Sequence, residues 1–186
     1  MTALQTAFAA IDAANAADPT LEGGQPGALL YGHRMSAELT RLFPDASEPL
    51  MIAARGQLIE RWRLPRQDYP DGKEGYLAWR REQARRHAAR VAGIMRDAGY
   101  DTEAIASAER MLRKEGIKRD EDVQALEDVI CFVFLRWYFA PFAAARDHAE
   151  LLDIVRKTAR KMSAAGRTRA LAEFDLPEDL AAALRM

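Results

Sequence analysis

The chain has 186 residues, 49% of them apolar and 30% charged, and a net charge of −1. That composition can bury a core without disulfides or a metal staple, and it excludes a disordered or low-complexity chain. With a pI of about 6.3, nothing global attracts nucleic acid or an anionic membrane, and neither partner is expected.

Alanine is frequent and β-branched clusters are few, which favours helix nearly everywhere. The 3.6-residue rhythm predicts about seven to nine helices in one all-α bundle spanning the chain. The first runs from about Thr2 to Ala16 and stops before Asp18-Pro19. The Gly/Pro-rich loop EGGQPG follows. The second helix covers about Leu29 to Phe43 and ends before Pro44. Ser47 caps the third, which carries Pro49 in its first turn and reaches about Trp62. The stretch RLPRQDYPDGKEG, with two prolines and two glycines, reads as a loop. A long helix from about Tyr76 to Ala98 closes at Gly99, and another starts at Asp101 or Thr102 and ends near Gly116. Asp120 begins a very apolar helix to about Phe139. Helices from about Asp147 to Ser163 and near the C-terminus complete the chain.

The apolar run VICFVFLRWYFAPF is interrupted by Arg136 and Pro141 and is too short to cross a bilayer, so it is expected as a buried central helix. The one cysteine, Cys131, lies within it and reads as a small core residue. The opening MTALQTAFAAIDAAN lacks the basic and continuous apolar regions of a signal peptide, and a cytoplasmic location is the expectation.

Charge is unevenly placed. Arg55 to Arg96 holds eleven Arg or Lys against five Asp or Glu, so the rest of the chain is acidic. This excess is either a solvated helix face or an anion site. On the long helix the inward stripe is expected to be Tyr76, Arg80, Ala84, His87, Val91 and Met95. His87 is then either a hydrogen-bonded core histidine or a ligand or general base. On the apolar helix the stripe Val123, Glu127, Ile130, Phe134, Trp137 takes in Glu127, with Asp128 at its border. These acids either complement a helix N-terminus or face a buried site, where Glu127 would partner Arg80 or a metal. Gln57 and Arg61 are expected one turn apart on the third helix, next to Leu50, Ala53 and Ala54, with Arg61 either snorkelling past Trp62 or lining a site. Arg66 and Tyr69, between two prolines, would form a clamp for phosphate or carboxylate. Lys157 and Lys161, one turn apart, are either solvated surface or the lining of an anionic pocket. His148 is expected to be exposed.

The segments AARGQLIERW, PRQDYPDGKEGYLAWR, LEDVICFVFLRWYF and RKTARKMSAAG resemble the domain of unknown function 4202 family, over about Phe8 to Leu171. The resemblance implies no established activity. Family members often carry histidine where this chain has Leu58. The order of parts also resembles the HD-type metal hydrolases, helical bundles with a histidine, a His-Asp pair and a later aspartate. By that resemblance His33 in YGHRM is the first histidine, and Gln57 and Leu58 occupy the His-Asp positions in AARGQLIE. His87 stands for a later histidine, and Glu127 or Asp128 for the final acid. The missing pair rules out a two-metal centre in a chain with three histidines. One divalent ion on His33, His87 and Glu127 or Asp128 is what the resemblance leaves.

Three readings follow. The chain binds a small anion, such as a nucleotide or phosphorylated metabolite, through Arg55, Gln57, Arg61, Arg66, Tyr69, Arg80, Lys157 and Lys161. Alternatively it is a non-enzymatic interaction protein whose polar residues are structural. Alternatively it is a divergent HD-like enzyme with one metal ion, in which His87 and Glu127 carry catalysis.

Overall fold

Alanine-rich amphipathic segments form ten α-helices in the computed structural model, which describes residues 1–185, so the all-α expectation holds. Two compact units make up the chain, Met1–Glu115 and one from Gly116 onward.

In the first unit, α1 (Ala3–Asn15) starts at a capping box. Thr2 Oγ1 accepts the Gln5 N–H at 3.2 Å, and Gln5 Oε1 accepts the Thr2 N–H at 2.9 Å. The loop expected at EGGQPG contains a small antiparallel hairpin, β1 (Leu21–Glu22) with β2 (Gln25–Pro26). Gly23 and Gly24 turn it with φ of 58° and 82°, the two positive angles that a tight hairpin turn requires. Next come α2 (Gly27–Leu42) and α3 (Glu48–Arg55), the latter capped by Ser47 with Pro49 in its first turn.

The third helix stops at Arg55, well short of the predicted Trp62. Turn bonds follow it, Gln57 N–H to the Ala54 carbonyl and Ile59 N–H to the Gly56 carbonyl, and a tertiary contact then holds the segment. Asn15 of α1, 1% exposed, accepts the Glu60 N–H at 3.1 Å, and Glu60 adopts left-handed φ of 51°. The chain then runs through two short 3₁₀ turns, Arg61–Arg63 and Arg66–Asp68. The long helix α4 (Gly72–Asp97) follows, then α5 (Thr102–Arg113). Helix α4 packs on α5 and α1, while α3 packs on α1, α2 and α5. Gly56 makes one of these approaches possible, since a Cβ there would stand 2.6 Å from Val91 Cγ2 of α4. Ile11, Ile52, Ala53, Met95 and Met111 fill the core between these helices.

The second unit begins with α6 (Glu121–Val133), whose N-cap Asp120 accepts the Asp122 and Val123 N–H groups, each at 3.0 Å. The sequence predicted an unbroken helix to Phe139. Instead, Phe134–Tyr138 form a π turn, and α7 (Phe139–Ala144) follows. Pro141 has no N–H to offer the Trp137 carbonyl, and its ring crowds the preceding turn. A widened turn just ahead of it relieves both problems. Helices α8 (His148–Lys161), α9 (Ala164–Glu173) and α10 (Glu178–Leu184) complete the unit, with α8 packed against α6 and α10. Cys131 is buried, as expected of a core residue. Among the described residues no helix is long and apolar enough to cross a membrane.

Candidate functional site

The phase of α4 decides which side chains meet. The stripe expected at Tyr76, Arg80 and Ala84 is displaced by one position in the first half of the helix. Gly75, Trp79 and Gln83 are buried there, and Tyr76 is 42% exposed. Only from His87 onward, through Val91 and Met95, does the expected stripe coincide with the buried face. The shift has a polar cause. The segment after α3 lays its carbonyls against α4, where Trp79 Nε1 donates to the Leu64 carbonyl at 2.9 Å. Gln83 Nε2 donates to the Arg61 and Leu64 carbonyls, each at 3.0 Å. Trp79 and Gln83, which sequence reasoning did not single out, thus hold Arg61 in place. Their signal was their one-turn spacing, hidden because both look like ordinary amphipathic-helix residues.

Arg61 lies over the Trp79 ring, its guanidinium carbon 4.5 Å from the ring centroid. Arg80, on the neighbouring position of α4, donates to Tyr76 Oη at 3.1 Å and lies 5.8 Å from that ring's centroid. Neither arginine meets a carboxylate among the described residues. Burial, and then the like charge of Arg80, lower the pKa of Arg61. Tyr31 and Tyr76 act on it in the opposite direction.

His87 lies deeper on α4, 5% exposed. Burial, then Arg61 and more weakly Arg80, push its pKa down to about 4 against a backbone hydrogen bond with Gln57 that raises it. The imidazole is therefore neutral at physiological pH. Its Nε2 is buried without a hydrogen-bond partner; with the proton assigned to Nδ1, on the hydrogen bond to the Gln57 backbone, Nε2 carries a lone pair. The side-chain Oε1 of Gln57 is likewise buried and unpartnered. The structure thus brings together four of the predicted residues, Gln57, Arg61, Arg80 and His87. The expectation of Gln57 and Arg61 on one helix is corrected, since both lie beyond the end of α3. The group carries positive charge at the two arginines and an unpartnered polar atom at each of His87 and Gln57. A neutral histidine whose pKa is about 4 is a weak general base.

The other predicted residues are engaged elsewhere. Arg55 forms a two-pronged pair with Asp12 of α1, at 2.7 and 2.6 Å, and reaches Ser36 Oγ at 3.2 Å. His33 Nε2 stands 3.6 Å from the same Asp12. Arg66, read as a clamp for a ligand, instead clamps its own loop. Its guanidinium donates to the Tyr69 carbonyl at 2.8 Å and the Pro70 carbonyl at 2.9 Å, and Tyr69 is tied in through its backbone. Lys157 pairs with Asp153 at 2.5 Å on the surface, and Lys161 is exposed on the same helix. His148 is exposed, beside Asp179.

Glu127 and Asp128 are both buried, 3% and 4% exposed, and belong to the second unit, whereas Arg80 and His87 belong to the first. Asp128 Oδ1 accepts the Ser163 backbone N–H at 2.7 Å and the Gln124 amide at 3.2 Å, and its Oδ2 accepts the Ser163 hydroxyl at 2.5 Å. Ser163 is the N-cap of α9, so the carboxylate anchors a helix N-terminus. Among the described residues no three His, Cys, Asp or Glu side chains gather where they would hold a metal ion. Of the set His33, His87, Glu127 and Asp128 that the HD-type resemblance implies, the histidines lie in the first unit and the acids in the second. Buried Asn15, Glu38 and Gln83 were missed by sequence reasoning; Glu38 is paired with Arg41 at 2.7 Å.

A family model described as Domain of unknown function (DUF4202) matches residues 5–184. No curated protein and no solved structure matches the chain.

Proposed function

We propose that this chain, which belongs to the DUF4202 family, binds a small anionic metabolite on its first unit through Arg61 and Arg80, with Gln57 and His87 beside them. The observation that carries this reading is the pair of neighbouring guanidiniums with no carboxylate among the described residues to neutralise them. A folded protein ordinarily pairs partly buried charges, and Arg61 gains nothing for stability from a like charge close enough to depress its pKa. Phosphate or carboxylate supplies the missing charge and suits the forked geometry of arginine. The exposed Tyr76 end of the cluster gives a ligand access from solvent.

The test is calorimetric titration of the full chain with inorganic phosphate and a panel of nucleotides, sugar phosphates and carboxylates. Saturable binding is expected for a phosphorylated member of the panel. Arg61→Met and Arg80→Met should each weaken it by roughly ten- to a hundredfold, the effect of losing one charge-assisted hydrogen-bond donor. Absence of binding across the panel, or affinity unchanged in both variants, would sink the reading.

A further inference from the structure

The same cluster constrains the far end of the ligand. Arg80 and His87 lie seven positions apart on α4, on one face of the helix, and the helical rise separates them by roughly 10 Å along its axis. Arg61 acts on His87 more strongly than Arg80 does, and a phosphate placed at the exposed Tyr76 end of the cluster leaves His87 Nε2 to another part of the ligand. At that second position the two buried atoms without partners, His87 Nε2 and Gln57 Oε1, are both acceptors. An acceptor buried without a donor is destabilising, so the complementary chemistry is an N–H or O–H group on the ligand.

Resting on the anion-binding reading above, we infer that the ligand is a phosphate monoester whose organic part carries hydroxyl or amino donors, with its phosphate on Arg61 and Arg80 and its donors on His87 and Gln57. The other organic ends fit less well. An alkyl end leaves both acceptors unmet. A second anionic end, as in a dicarboxylate, faces two lone pairs. To receive it, His87 would first have to take up a proton against its burial and two guanidiniums. Sugar phosphates and nucleoside monophosphates share the required chemistry, one through ring hydroxyls and the other through ribose or the exocyclic amine.

Titration of the full chain at neutral pH with n-butyl phosphate, ribose 5-phosphate and adenosine 5′-monophosphate tests this. At least one of the two donor-bearing esters should bind about tenfold or more tightly than butyl phosphate, the value of one or two well-made hydrogen bonds. Tighter binding of ribose 5-phosphate assigns the donors to sugar hydroxyls. Tighter binding of the nucleotide alone assigns them to the base. In Gln57→Leu, whose side chain sits in a half-buried turn, the preference should collapse toward equality, and His87→Leu should act the same way if it folds. Equal binding of all three esters, or a preference that survives Gln57→Leu, overturns the inference while leaving the anion site standing. Failure of all three to bind removes the anion site itself.

Discussion

Asp128 in the second unit and His87 in the first are both buried polar groups in the middle of helices, yet their surroundings differ in kind. Asp128 receives a backbone N–H, a hydroxyl and an amide, and its charge faces the positive end of α9. His87 is held on one side only, its other nitrogen unpartnered, and the nearest charges are two guanidiniums that oppose its protonation. Gly166 shows how closely the first arrangement is built, because a Cβ there would stand 2.8 Å from the Asp128 carboxyl carbon. The contrast separates a buried carboxylate with donors on both oxygens, although Gln124 beside it keeps an unpartnered Oε1, from a buried imidazole with one nitrogen unpartnered.

If this contrast is right, the largest stability effect lies at the satisfied cluster. Asp128→Ala should destabilise the protein by about 3–4 kcal/mol, because it strands the Ser163 N–H and removes charge-assisted bonds. Urea melts showing less than half of that would place Asp128 among the dispensable polar groups. Asp128→Asn, which keeps one acceptor, should recover part of the loss.

Next comes the pH response of His87. Its pKa of about 4 in the folded chain lies below the ordinary 6.5, so between those values the unfolded chain binds the proton more readily. The stability associated with a neutral His87 is complete above pH 6.5 and is lost as pH falls, by about 3 kcal/mol at pH 4. Melts between pH 7 and 4 should show wild type losing about 3 kcal/mol more than His87→Gln, and so having the steeper slope. Parallel slopes would mean that His87 protonates freely and is not buried as described. Bound anion should flatten the wild-type slope, because it offsets the two guanidiniums.

A smaller effect is expected at Arg80. Without ligand, Arg80→Met should leave stability within about 0.5 kcal/mol of wild type, since the lost Tyr76 bond is exposed and a like-charge repulsion is relieved. A large destabilisation would instead make the arginine pair structural and erase the contrast. At Arg66, whose donors are already used on its own loop, Arg66→Ala should cost about 1 kcal/mol and leave the affinity for phosphate esters unchanged. A selective loss of affinity would return Arg66 to the site.

The legible part of the fold was local. The Ser47 cap, the starts at Thr2, Asp101 and Asp120 and the alanine-rich rhythm placed most helices, because capping and amphipathicity act within a few residues. The end of α3 was not legible, since the turns after Arg55 are held by a contact between Asn15 of α1 and the Glu60 amide, 45 positions apart. The π turn was only half legible: Pro141 marked trouble without saying what form it would take.

The candidate site divides in the same way. The sequence by itself determined that Gln57, Arg61, Arg80 and His87 sit in a basic stretch with few acids to pair with. Their types and excess charge are properties of composition and spacing. It also made Arg66 and Arg55 look equivalent to them. Only the tertiary structure decided which arginines were already spent, Arg55 on Asp12 and Arg66 on its own carbonyls, and which remained together without a carboxylate. It also set the phase of α4, because the carbonyls of Arg61 and Leu64 demanded Trp79 and Gln83 on the buried face. Charge can be counted along a chain, but whether a charge is satisfied depends on partners 43 positions away, as Asp12 is from Arg55, and only folding brings them together.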